Sequence, residues 1–289
     1  MRVAVVGLGG VGGYIAASFV KAGIDTIGFA RGEHLKEIQL HGITIKEDEK
    51  TWNARIDTRE EDDLDGYFEG AFDVVMFCVK SYDLVDSFEH IRSHIDENTT
   101  LISFSNGVNN AQTLKDLSSC HVLDGCIYIL SHLESPGVIR KKGKVFTGVF
   151  GGEKEPTAKL ASLFEKAELR FKTPSDIKTA IWKKYIFISA FATLTSYYKN
   201  SIGYIYEYHR DEAEALLKEI AEFAKSQGVN IEDEVQKALK VASEVPYDSK
   251  TSMLKDFENK KRVELESLSG YVTTPLMSKY YEELKKSLK

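Results

Sequence analysis

Short apolar blocks and amphipathic stretches alternate along the first 172 residues. Residues 2–6, 26–30, 72–79 and 100–104 are apolar runs of strand length. Residues 12–22 carry a helical period that stops at Gly23, and residues 84–94 carry another. Later strands are predicted at 122–130, 145–150 and 169–171, with a helix at 157–166. Continuous apolar strands alternating with helices predict a parallel sheet covered on both faces, the doubly wound α/β class. Past Pro174 the strand signal ends. Ser175-Asp176 is placed to cap a long helix running to about Tyr198, and further helices are predicted over 211–226, 232–244, 252–268 and 275–286. The expected division is therefore 1–172, α/β, and 173–289, all-α. A hinge of a few residues joins them, which makes a cleft between the halves the default site.

Composition narrows the functional classes. The 289 residues are 43% apolar and 28% charged, ordinary values for a globular chain of two domains. No apolar run approaches the roughly 20 residues that span a bilayer. The first residues pass straight into a strand, without the charged start and long apolar core of a secretion signal. Cys78, Cys120 and Cys126 form no CxxC pair, and an odd count fits a reducing cytoplasm better than a disulfide scaffold. The formal net charge of −6 argues against nucleic acid or an anionic membrane as partner. Motifs of serine hydrolases, P-loop enzymes and zinc proteases do not occur.

The first chemical signal is Gly7-Leu8-Gly9-Gly10-Val11-Gly12, a G-x-G-x-x-G sequence between a predicted strand and a predicted helix. Gly7 permits the tight turn, Gly9 lets backbone approach a pyrophosphate, and Gly12 lets the helix pack close to the sheet. The helix N-terminus offers unpaired N–H groups to phosphate oxygens. In the fingerprint an acid ends the second strand and holds a ribose 2′-hydroxyl; here that place is Ala30-Arg31-Gly32. A guanidinium suits a 2′-phosphate, so the reading is NADP(H) rather than NAD(H). Lys80, ending the 72–79 strand, is placed to reach the same side. Glu33 is the competing acid, with an ordinary role in a helix's first turn.

Three further positions carry chemistry. Asn106, in Ser105-Asn106-Gly107-Val108, follows a strand at the end where ligands of such sheets sit, although Asn-Gly is also a plain turn signal. Lys184 interrupts an apolar helical stripe of Ile177, Ile181 and Ile188. It is either a lysine prepared for proton transfer or one that snorkels from a buried stem. Ser252 and Glu264 lie twelve residues apart, about 18 Å along a straight helix, so both cannot touch one small substrate. The bland readings are an N-cap serine and a solvent-facing glutamate.

This combination resembles the ketopantoate reductase (2-dehydropantoate 2-reductase) family. The resemblance rests on the glycine loop, Arg31, Val79-Lys80, Ser105-Asn106-Gly107-Val108, Ser135-Pro136-Gly137, Asp176-Ile177 with Trp182-Lys183-Lys184, and Thr251-Ser252-Met253-Leu254-Lys255-Asp256 followed by Arg262-Val263-Glu264. It implies an N-terminal Rossmann doubly wound sheet with an all-α C-terminal domain. It implies NADPH-dependent reduction of 2-dehydropantoate to (R)-pantoate, toward pantothenate and coenzyme A. By residue, it implies Lys184 as proton donor, Asn106 beside nicotinamide and substrate, Ser252 on the substrate, and Glu264 and Ser131 on the cofactor. It leaves a homodimer open.

The chain also departs from the pattern. Ile188, Ala192, Ile202 and Ser249 stand where the family usually has asparagines. Losing hydrogen-bonding side chains changes discrimination, so a more apolar 2-oxo acid is an alternative substrate. A non-catalytic NADP(H)-binding regulator is an alternative of another class. Other features read as structure. His90 and His94 have metal-pair spacing but no third ligand, and no metal is expected. Residues 60–63 read as a solvated acidic loop and Arg140-Lys141-Lys142 as a solvated turn. Tyr197, Tyr198, Tyr204, Tyr206 and Tyr208 read as packing.

Overall fold

A computed structural model of the chain describes residues 1–60 and 70–288, and every structural statement below refers to those residues. Glu61, Asp62 and Asp63 of the acidic run lie outside them. The chain forms two compact units. One is Met1–Ser105 with Asn109–Ile177; the other is Asn106–Val108 with the chain from Lys178 on.

The first unit holds strands β1 (Arg2–Val6), β2 (Asp25–Phe29), β3 (Ile43–Glu47), β4 (Lys50–Ala54), β5 (Asp57–Arg59), β6 (Val74–Phe77), β7 (Thr100–Ser103), β8 (His121–Ser135), β9 (Val138–Gly151) and β10 (Phe171–Lys172). Its helices are α1 (Gly10–Lys21), α2 (Gly32–His41), α3 (Leu84–Ile91), α4 (Asn110–Leu117) and α5 (Lys154–Lys166). Strands β5-β2-β1-β6-β7-β8 are neighbours in that order and all parallel. Alternate residues of β1 and β6 enter opposite cores. Val3, Val5, Val74 and Met76 face one, and Ala4, Val6, Val75 and Phe77 the other. Burial on both faces explains why these strands read as unbroken apolar runs.

The sheet is not purely parallel, which corrects the expectation from sequence. β8 and β9 form a long antiparallel ladder; β9 continues in parallel with β3 and β10, and β3 pairs antiparallel with β4. The end of β8 beyond the predicted run is largely exposed and polar, and the start of β9 alternates buried Ile139 and Lys141 with partly exposed Val138 and Arg140, so an apolar-run criterion passes over both. Pro136-Gly137 makes the reversal, with Gly137 at φ +74°. Arg140-Lys141-Lys142 is therefore strand, not a solvated turn. Lys141 is only 7% exposed and sits 3.4 Å from Glu47. Glu47 also accepts hydrogen bonds from Tyr14 (2.8 Å) and Trp52 (3.0 Å), tying β3, β4 and β9 to α1. Burial alone would raise the Glu47 pKa, but these donors and the Lys141 charge outweigh it and hold the carboxyl below its ordinary value.

The second unit is helical: α6 (Ile177–Tyr198, whose first residue groups with the first unit), α7 (Ile202–Tyr208), α8 (Arg210–Ser226), α9 (Glu234–Glu244), α10 (Ser252–Glu258) and α11 (Pro275–Ser287), with a π-helical turn at Glu266–Gly270. Trp182, Tyr185, Ile186, Phe191 and Leu194 of α6 lie in one core with Leu216, Leu217 and Ile220 of α8 and Tyr280 of α11. The helix expected over 252–268 breaks at Asn259. That side chain bonds back to the Lys255 carbonyl (2.7 Å), and Lys260 turns left-handed at φ +54°, so the helix closes after α10. Among the described residues no helix is long and apolar enough to cross a membrane, and no cluster of three or more His, Cys, Asp or Glu could hold a metal ion.

Two stability outcomes follow from these contacts. A Cβ at Gly12 would stand 2.1 Å from the Gly7 carbonyl oxygen. Gly12→Ala should therefore cost about 3 kcal/mol in urea unfolding, against about 1 kcal/mol for Gly9→Ala, where no neighbour lies within 4 Å. For Glu47, the depressed folded pKa means its contribution is complete above the unfolded carboxylate pKa and is lost as pH falls through the lower folded value. Glu47→Gln should be about 2 kcal/mol less stable than wild type at pH 7, with the deficit shrinking below about pH 4. A deficit that grows in acid would contradict this.

Candidate active site

The glycine loop joins β1 to α1. Gly7 takes φ +89°, a left-handed conformation that favours glycine, and the amides of Gly7 and Leu8 both donate to the Phe29 carbonyl at the end of β2 (3.0 and 3.2 Å). Gly12 packs against Gly7, as its missing Cβ requires. Gly9 faces open space, and α1 begins at Gly10 with no side-chain cap on its first amides. Val11 follows in the first turn of α1. Gly10 packs on the main chain of β8: an added Cβ would meet the Ser131 carbonyl carbon and the His132 nitrogen at 2.8 Å. Ser131 thus stands directly beside the loop. Its Oγ is shielded from solvent and makes no hydrogen bond with the described residues.

Arg31 is the residue preceding α2, and its side chain is 82% exposed with one ion pair to Asp83 at 3.1 Å. An exposed pair of this kind is worth at most about 1 kcal/mol, so an arriving phosphate can take the guanidinium. Lys80 follows β6 and precedes a short 3-10 turn, Ser81–Asp83, that carries this same Asp83. Asp83 lies 52 residues from Arg31, and no local pattern announces it. These residues fit a phosphorylated dinucleotide: uncapped amides at a helix start, an open glycine face, a shielded hydroxyl without a partner, and cations at the ends of β2 and β6.

In the second unit the Lys184 ammonium donates to the Asn106 amide oxygen at 3.2 Å, across a sequence separation of 78. Lys184 is half-buried on α6, on the stripe with Ile181 and Ile188. Asn106 arrives on the three-residue segment that groups with this unit. Gly107 at φ +125° turns the chain there, and on either side Ser105 bonds to the Val79 carbonyl (2.6 Å) and Asn110 to the Ser105 carbonyl (3.0 Å). The arrangement holds an ammonium against an amide oxygen that orients it.

Ser252 is exposed as the first residue of α10, and the cap is Thr251, whose hydroxyl accepts the Leu254 amide. This corrects the N-cap reading of Ser252. The straight-helix spacing of Ser252 and Glu264 does not apply either, because the helix breaks between them. Glu264 is not solvent-facing; it is 4% exposed. A ladder of α6 hydroxyls fixes the turn just beyond it. Tyr185 donates to the Ser267 and Leu268 carbonyls (3.0 and 3.2 Å), Ser189 to Leu268 (2.6 Å), and Thr193 meets Ser269 (2.7 Å). This ladder had a sequence signal, hydroxyls at 185, 189 and 193 on one helical face. Ala192 and Ile202 are buried in the helical core, Ile188 is half-buried, and the Ser249 carbonyl accepts the Ile202 amide at 2.8 Å. The tyrosines pack: Tyr197 against Tyr198 and Tyr280, Tyr204 against Tyr208.

Comparison with known proteins agrees with this layout. The family model described as ketopantoate reductase PanE/ApbA matches residues 3–151, and its C-terminal counterpart matches residues 176–275. An uncharacterized oxidoreductase of Bacillus subtilis, YkpB, is 29% identical, over 94% of this chain and 91% of its own length. The 2-dehydropantoate 2-reductase of Mesorhizobium japonicum is 27% identical, over 94% of this chain and 90% of its own. The crystal structure of 2-dehydropantoate 2-reductase from Porphyromonas gingivalis superposes with a TM-score of 0.82 at 29% identity, covering 99% of both chains. The chain belongs to the ketopantoate reductase PanE/ApbA family of oxidoreductases.

Proposed function

We propose that this chain is a cytoplasmic NADPH-dependent reductase that converts 2-dehydropantoate to (R)-pantoate. The observation that carries this reading is the 3.2 Å hydrogen bond from Lys184 to Asn106, which aims an ammonium. When bound, NADPH supplies a hydride for the C2 carbonyl carbon of the substrate. Lys184 polarises the carbonyl oxygen and gives it a proton. Asn106 orients the Lys184 ammonium, so its charge is in place before alkoxide character develops. Ser252 binds substrate. Residues 7–12 hold the pyrophosphate, Arg31 the 2′-phosphate with Lys80 on the same side, and Ser131 and Glu264 make further cofactor contacts. In this reading residues 1–172 carry most of the nucleotide contacts and 173–289 most of the substrate contacts, with Asn106 and Glu264 as the exceptions.

A second reading, a more apolar 2-oxo acid, is favoured by one observation. Ile188 lies one helical turn beyond Lys184 on the same stripe, and Ala192 and Ile202 are packed into the core, so none of the three supplies a hydrogen-bond donor. A regulator without turnover is opposed by the retained Lys184–Asn106 pair.

The deciding measurement is NADPH oxidation with 2-dehydropantoate and a panel of branched 2-oxo acids. Turnover with 2-dehydropantoate is expected. Turnover only with another acid would move the substrate, and binding without turnover would support the regulator. Lys184→Ala should lower kcat by about a thousandfold while NADPH affinity stays within about threefold; near-normal turnover would remove Lys184 from the chemistry. Arg31→Ala should weaken NADPH by about thirtyfold and leave NADH affinity unchanged, and equal losses for both would show that no 2′-phosphate is read there.

A further inference from the structure

His34 is a polar side chain of α2 to which the proposed reaction gives no role. Its Nε2 lies 2.8 Å from the Leu8 carbonyl oxygen in the glycine loop, and its Nδ1 lies 2.9 Å from the Gly137 amide nitrogen in the β8–β9 turn. The chemistry of these partners fixes the ring. A backbone amide can only donate, so Nδ1 must be the acceptor; a carbonyl can only accept, so the proton is on Nε2.

The Leu8 carbonyl belongs to the same peptide group as the Gly9 amide. That group is planar and trans, so its C=O and N–H point in opposite directions. Holding the carbonyl toward His34 therefore turns the Gly9 N–H away from His34. The room for this carbonyl comes from Gly13, where an added Cβ would stand 2.8 Å from the Leu8 oxygen. Gly9 has no side chain to oppose rotation of that peptide. A flip would replace an N–H with a partly negative oxygen where a pyrophosphate is to be received.

We infer that His34 is a positioning residue that locks the Leu8–Gly9 peptide with its N–H outward, presetting the glycine loop for an anionic dinucleotide and tying it to the β8–β9 turn. This deepens the proposed NADPH reading and rests on it for the ligand.

Three substitutions separate the two bonds. In His34→Gln the side-chain amide reaches the Leu8 carbonyl; in His34→Asn the amide oxygen reaches only Gly137; His34→Ala loses both. Fluorescence titration should show NADPH Kd raised about tenfold in the Asn and Ala variants and within about threefold of wild type in Gln, with the loss falling on KM for NADPH far more than on kcat. Equal affinity in all four proteins would overturn the inference, as would a Gln variant as weak as Ala. A readout without cofactor keeps the test independent of how the variants fold. The ¹⁵N signals of His34 in the wild-type protein should show a protonated Nε2 and a bare Nδ1, and a proton on Nδ1 at neutral pH would overturn the lock. Failure of the wild type to bind NADPH, with that ¹⁵N signature intact, would instead remove the nucleotide reading.

Discussion

The hydrogen bond from the Lys184 ammonium to the Asn106 amide oxygen joins the candidate site's two polar groups. A charge on a half-buried, largely apolar helical stripe loses part of its hydration, and without a hydrogen-bonding partner that loss is uncompensated. The Asn106 acceptor is delivered by Asn106–Val108, three residues that group with the second unit rather than the first. Gly107 makes that excursion feasible through its left-handed backbone, and the bonds of Ser105 and Asn110 fix its two ends. The same few residues thus satisfy a charge and aim it.

The glycine loop obeys a different constraint, that of close approach. Gly7 and Gly12 are in mutual contact, Gly10 rests on the β8 main chain, and Gly13 leaves room for a turned carbonyl. Gly9 is the exception, with open space around it. Glycines pressed against protein shape the loop, and the one left open marks where something else can approach. Ser131 and His34 gain their relevance from this packing, because both meet the loop through backbone whose position the glycines set.

Polar groups in the helical unit are arranged with similar economy. Tyr185, Ser189 and Thr193 present their hydroxyls to the turn at Glu266–Gly270, where a π-helical segment leaves carbonyls in need of donors. Glu219 of α8 performs the equivalent service for α11. Its carboxylate accepts the amides of Leu276 and Met277 just after Pro275. These bonds cross between helices, so they fix how the elements pack as well as where each one starts.

Local features were legible along the chain. Strands buried on both faces read as apolar runs, α6, α8, α9 and α11 read through their 3.6-residue period, and the glycine spacing announced its own turn. The candidate lysine was visible as a break in an apolar stripe. What escaped was set by partners distant in sequence or by the backbone conformation of a single residue. The outer ends of β8 and β9 are strand because they pair with each other, α10 stops because Lys260 turns left-handed and the Lys260 and Lys261 amides bond back to the Phe257 and Asp256 carbonyls, and Lys141 is buried because Glu47 meets it. The pairings of Lys184 with Asn106 and of His34 with Leu8 and Gly137 belong to this second group. Periodicity records which face of an element is apolar, whereas a hydrogen bond between distant residues exists only once folding has brought both ends together.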